Sequence, residues 1–134
     1  MKILELNTQK ENENSYKSNL KQIIKTIIDE QPDVFSLQGV SQSSTSPRVI
    51  MTDNLGYVPN KWEHIRIRLD NSALSIAEML RKERLPYKWT WRSFDSKQRG
   101  LEQGMAVFVK NANHNLEQFS LEDKIKCIKE IEYE

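Results

Sequence analysis

Two short apolar runs with one helical stripe between them constrain this chain more than any other feature. Ile3, Leu4 and Leu6 lie in a run from Lys2 to Asn7 that is short and opens the chain, and reads as a strand. Asn12 to Ser15 is a polar stretch suited to a helix cap. Tyr16, Leu20, Ile23, Ile24, Ile27 and Ile28 then recur at spacings of three and four, with Lys17, Lys21, Gln22 and Lys25 on the other side. That is an amphipathic helix with one apolar stripe. Pro32 forbids its continuation. Residues 33–38 read as a short buried strand. Strand, helix and strand in so short a span suggest a crossover unit with parallel pairing. Sheets of antiparallel type also insert helices, so periodicity does not choose between the two.

Beyond this unit the signals are shorter. Residues 41–47 have the composition of a loop, and residues 48–69 are irregular, broken by Gly56, Pro59 and Trp62. A second helix is expected from Asp70, capped by Asp70 or Asn71, with Leu74, Ala77 and Leu80 on one face and Pro86 beyond its end. Tyr87, Trp89 and Trp91 alternate with Lys88, Thr90 and Arg92 in a strand pattern. Residues 93–103 read as a polar loop. Met105 to Val109 is a continuous apolar run, expected of a central strand. The expected fold class is α/β (α+β), one mixed β-sheet with about two main helices.

The chain has 134 residues, 37% hydrophobic and 29% charged, which fits one domain. A net charge of +1 gives no polyanion-binding signal. One cysteine, Cys127, cannot form an intrachain disulfide. The N-terminal apolar run is too short for a signal peptide, and no stretch approaches the ~18 apolar residues of a membrane span. A soluble cytosolic protein is expected. The four glycines, at 39, 56, 100 and 104, form no phosphate loop. The serines from Ser43 to Ser46 lack the G-x-S-x-G setting of a hydrolase nucleophile.

Four segments in order resemble one superfamily. They are the opening strand ending in Leu6-Asn7, then Pro32-Asp33-Val34-Phe35-Ser36-Leu37-Gln38-Gly39-Val40, then Asp70-Asn71, then Glu102-Gln103-Gly104-Met105-Ala106-Val107. The second is similar to a strand written D-V-I-x-L-Q-E-V, and the fourth to one written E-G-x-A-I. Together they resemble the endonuclease/exonuclease/phosphatase superfamily. Ser41-Gln42, the strand from Tyr87 to Trp91 and Phe119-Ser120-Leu121 are similar to its bacterial sugar-phosphate (maltose-phosphate) phosphatases. The resemblance implies half of a four-layer αββα sandwich, with residues 1–123 as a truncated domain and 124–134 as a charged tail. It also implies Mg²⁺-dependent phosphate-ester hydrolysis, in which a metal held by carboxylates polarises the phosphate. The family's later Asp, Asn and His elements have no counterpart here.

Residue by residue, that likeness mostly lacks its chemistry. Asn7 matches an early asparagine near metal and phosphate. Gly39 stands at the position of the metal-binding glutamate, and glycine has no side-chain ligand atom. Gln103 stands where a second glutamate is common, and its amide carries no charge. Asn7 and Gln103 are therefore vestigial site positions, and no intact metal site is expected. Glu102 is one residue off the ligand position, so strand alternation should turn it away, and Glu5 is read as misplaced relative to Asn7. His64, His114, Asp53 and Asp95 match no metal spacing, and Cys127 has no histidine motif beside it. Arg66, Arg68, Arg81, Lys82, Arg84, Lys88 and Arg92 interleave with Trp62, Trp89 and Trp91, a pattern that can bind single strands. Intervening acids and core-like tryptophans favour a solvated surface instead. The leading reading is a degenerate phosphoesterase, inactive alone. Alternatives are an active metal-dependent phosphatase or nuclease, and a binding protein that needs a homodimer or complementing chain over an exposed sheet face.

Overall fold

Parallel pairing of the first two strands settles the topology that periodicity left open. A computed structural model describes residues 1–8, 13–49, 55–59, 65–94 and 100–110, the side chains of 13–16 excepted. The elements are β1 (Ile3–Asn7), α1 (Glu13–Glu30), β2 (Val34–Ser43), α2 (Ser72–Lys82), β3 (Tyr87–Phe94) and β4 (Leu101–Lys110). They form one mixed sheet in the order β1-β2-β4-β3. β1 runs parallel to β2, and β4 is antiparallel to both β2 and β3. The apolar run from Met105 to Val109 thus lies in a strand paired on both sides, as a continuous apolar stretch requires.

Both helices pack on one face. Leu20, Ile23, Ile24 and Ile27 of α1 and Leu74, Ile76 and Leu80 of α2 meet Phe35, Leu37, Val40, Trp89, Trp91 and Phe108 of the sheet. Phe108 stacks between Phe35 and Trp89, with ring centroids 4.6 and 5.5 Å away. Each such side chain removed from water contributes about 1.5–3 kcal/mol. Val34, Met105, Val107 and Val109 form a second buried cluster on the opposite face. The outer edge of β3 is occupied too: Trp89 N donates to Gly56 O at 2.9 Å, and Val58 N to Trp89 O at 2.7 Å.

Two segments read as loops are strands. β2 continues through Ser43, where Ser41, Gln42 and Ser43 pair with Gln103, Glu102 and Leu101. β3 runs to Phe94, and β4 starts at Leu101. Polar Gln42 sits in this ladder because its side chain bonds to Glu102 of the neighbouring strand, which composition alone does not reveal. The limit of the domain at residue 123 and the tail after it lie outside the described residues.

The end of α2 is unusual in its residue type. Leu85 N donates to Leu80 O at 2.9 Å and Arg84 N to Arg81 O at 3.0 Å. This is the paired closure of a Schellman motif, and it puts Arg84 at φ 58°. Glycine usually takes that place, because a Cβ there costs roughly 1 kcal/mol.

Tyr87 anchors the start of β3. Its hydroxyl donates to Pro32 O at 2.6 Å, fastening β3 to the turn before β2. Burial first, and the Asp33 charge second, push its pKa up to about 12. A raised acid pKa means that folding favours the protonated phenol. Stability should therefore be full below about pH 10, where the unfolded tyrosine is still protonated. It should fall between pH 10 and about 12 as only the unfolded state loses the proton. Chemical denaturation across that range, repeated on Tyr87→Phe, checks this. The variant should be less stable by about 1 kcal/mol at neutral pH and should lack this tyrosine's share of the alkaline loss. An identical alkaline slope in both proteins would assign the effect elsewhere.

Candidate functional site

The three positions singled out in the sequence lie at one end of the sheet. Asn7 closes β1 and stands in register with Gln38. Leu37 pairs with Ala106 and Val40 with Gly104, so Gln38 and Gly39 together face the single residue Met105. This is a β-bulge, and its second residue, Gly39, has φ 67°. Thr8, itself buried, holds the bulge in place. Its Oγ1 donates toward Gln38 O at 3.0 Å and Gly39 O at 2.9 Å, and its main-chain N–H donates to Gln38 O at 3.0 Å. Asn7 O accepts from Asn19 Nδ2 at 2.8 Å, which ties the end of β1 to α1.

Alternation sorts the side chains. Leu6 packs on the helix-side core, so Asn7 belongs to the other face. Gln103, in register with Ser41, shares that face, two strand spacings or about 10 Å across the sheet. Glu5 shares it as well, because it is two residues from Asn7 rather than one. The reading that set Glu5 apart from Asn7 is corrected on this point, although Glu5 lies farther from the strand end.

Glu102 points to the helix side, and its Oε1 is engaged there. Its Oε1 accepts from Arg68 Nε at 2.6 Å and from Gln42 Nε2 at 2.9 Å. Gln42 Nε2 also donates to Arg66 O, while its Oε1 accepts from Arg68 N and Asn71 Nδ2. Asn71 Oδ1 in turn accepts from Ala73 N and caps α2. Arg68 Nη1 reaches Ser46 O at 2.9 Å. This buried network joins β2, β4 and the start of α2. Only the Asn71 cap was visible in the sequence. Gln42 gave no local signal, since all the partners of its side chain are more than twenty residues away.

The donor chemistry at the sheet end does not suit a divalent cation. Asn7, Gln38, Ser41 and Gln103 offer amides and a hydroxyl, and the Glu5 carboxylate on the same face lies farther from the strand end, whereas magnesium is held by carboxylates gathered at one point. Among the described residues no three of His, Cys, Asp and Glu gather to hold a metal. His64, His114, Asp53, Asp95, Trp62 and Cys127 lie outside the described residues. Trp89 and Trp91 are buried, and their indole N–H groups donate to Leu55 O and Val40 O. They are not available to stack on bases. Among the described residues no helix is long and apolar enough to cross a membrane.

A solved structure is similar in fold. The chain resembles an endonuclease/exonuclease/phosphatase family protein. That protein, from Leptotrichia buccalis C-1013-b, superposes with a TM-score of 0.62 at 25% identity, over 81% of this chain. The chain spans 37% of the length of this phosphatase-family neighbour. No protein-family model and no curated protein matches the chain.

Proposed function

We propose that the chain is a divergent member of the endonuclease/exonuclease/phosphatase superfamily, matching the N-terminal half of its domain, and that by itself it is not a catalyst. The order of its motifs and the likeness to the Leptotrichia protein support the ancestry. The observation that carries the loss of activity is the backbone of Gly39. At φ 67°, inside a bulge fastened by Thr8, this position disfavours any side chain. It is the position at which the resemblance places a metal-binding glutamate. Asn7 and Gln103 are then vestiges of the site. A complementing chain or a second copy would have to supply carboxylates for turnover. The ancestral substrate class is a small sugar phosphate rather than nucleic acid. Cytosolic residence is part of the proposal and rests on the single cysteine.

Phosphate release from hexose phosphates and p-nitrophenyl phosphate, and nicking of plasmid DNA, test this with magnesium and with chelator. No turnover above the protein-free blank is expected. Gly39→Glu is expected to gain none and to lose roughly 1–2 kcal/mol of stability from the left-handed backbone. Turnover that chelator abolishes would sink the reading in favour of an active metal-dependent phosphatase or nuclease.

A further inference from the structure

A cavity of about 360 Å³ opens between the end of α2, the start of β3 and the segment at Leu55 and Gly56. It lies on the helix side of the sheet, whereas Asn7 and Gln103 belong to the other face. Leu55, Leu85 and Pro86 give it an accessible apolar lining over the buried Leu80 and Phe108, and the exposed Arg81 and Arg84 stand at its rim. Size and composition are those of small-molecule sites, which are mostly apolar with a few placed polar groups.

Three observations give the cavity a direction. First, its outer wall is built in advance. Trp89 N donates to Gly56 O, Trp89 Nε1 donates to Leu55 O at 2.8 Å, and a Cβ on Gly56 would lie 2.5 Å from Tyr87 O. The wall can approach β3 this closely only as glycine. Second, both guanidiniums are available. Among the described residues Arg81 and Arg84 take part in no ion pair, although Glu78 lies one turn from Arg81 and lines the adjoining groove with it. Alternation sends the Lys88 side chain to the opposite face, so the two arginines carry the charge at the mouth. Third, Arg84 occupies the left-handed position that glycine fills at lower energy. No hydrogen bond or ion pair of its side chain to a described residue accounts for an arginine there. A strained residue beside a cavity is a pointer to use. The negative end of α2 opposes an anion at this place, but the Schellman bonds occupy the carbonyls of Leu80 and Arg81, and Arg81 and Lys82 offset the rest.

We infer that this cavity is a binding site for a small organic anion with an apolar or aromatic body, the body against Leu55, Leu85 and Pro86 and the carboxylate or phosphate on Arg81 and Arg84. Planar guanidiniums suit both acids through paired hydrogen bonds. The site is independent of the phosphoesterase reading.

Backbone amide spectra of the full chain titrated with phenylacetate, and with neutral phenylacetamide, test it. Phenylacetate should shift the amides of Gly56, Leu85 and Tyr87 saturably, and phenylacetamide should bind about tenfold more weakly. Arg84→Gly should weaken phenylacetate about tenfold while raising the thermal midpoint, because glycine accepts φ 58° without strain. Arg81→Gln should weaken it too. Opposite signs for binding and stability separate ligand recognition from general damage. Absence of saturable shifts, equal binding of acid and amide, unchanged affinity in Arg84→Gly, or a lowered midpoint in that variant would each overturn the inference.

Discussion

Gly104→Ala should destabilise the protein by about 3 kcal/mol or more. Gly104 lies in β4 opposite Ser93 of β3 and Val40 of β2, between strands on both sides. A Cβ there would stand 2.0 Å from Arg92 O and 2.8 Å from both Arg92 C and Ser93 Cα. All three are main-chain atoms, so no rotamer change relieves the clash. Overpacking against flexible side chains typically costs ~1–3 kcal/mol. Here the strands themselves must separate, and a loss of about 3 kcal/mol or more is expected, a large fraction of a small domain's ~5–15 kcal/mol. Urea unfolding followed by circular dichroism measures it. A loss below about 1 kcal/mol would mean that β3 and β4 part easily at this point, and that the ladder near Arg92 contributes little to the fold.

The second large effect is expected from Glu102→Ala. The Glu102 and Arg68 side chains are 17% and 14% exposed, so the pair is largely withdrawn from water. Removing the carboxylate leaves a guanidinium facing the interior without its counter-charge, and Gln42 Nε2 loses one of its two acceptors. Breaking one partner of such a pair costs about 3–5 kcal/mol, and partial exposure puts this case at the lower end, about 3 kcal/mol. Replacing both partners with apolar residues, Arg68→Met with Glu102→Leu, should cost less than the single change, since no uncompensated charge remains. A double variant as unstable as the sum of the two singles would show that the two side chains act separately.

These two sites also show where sequence reading stops. The stripe of α1, the alternation of Tyr87, Trp89 and Trp91 and the apolar run of β4 were legible because each is a local repeat with one buried face. The Asn71 cap was legible for the same local reason. Ser41, Gln42 and Ser43 were not legible as strand. Their polarity marks a loop unless one knows that Gln42 meets Glu102, Arg66, Arg68 and Asn71 in space. The stop of α2 gave no glycine to mark it, because an arginine takes the left-handed turn. Asn7, Gly39 and Gln103 were found by resemblance rather than by periodicity. The structure gathers them at one sheet end but brings no carboxylate cluster with them. The backbone angle of Gly39 had no signal beyond its being a glycine.

The bulge has a bearing on how this strand tolerates change in length. β2 carries one residue more than its ladder with β4 can use, and Gly39 absorbs the surplus. Val40 and Gln42 therefore keep the phase of Leu37 and stay on the helix side. Without the left-handed kink, the same ten residues of β2 would run out of step from Gly39 onward. Val40 would leave the core, and Gln42 would lose its network. A shorter β2 lacking this one position would keep its phase on both sides, whereas a bulkier residue forced into extended geometry would not.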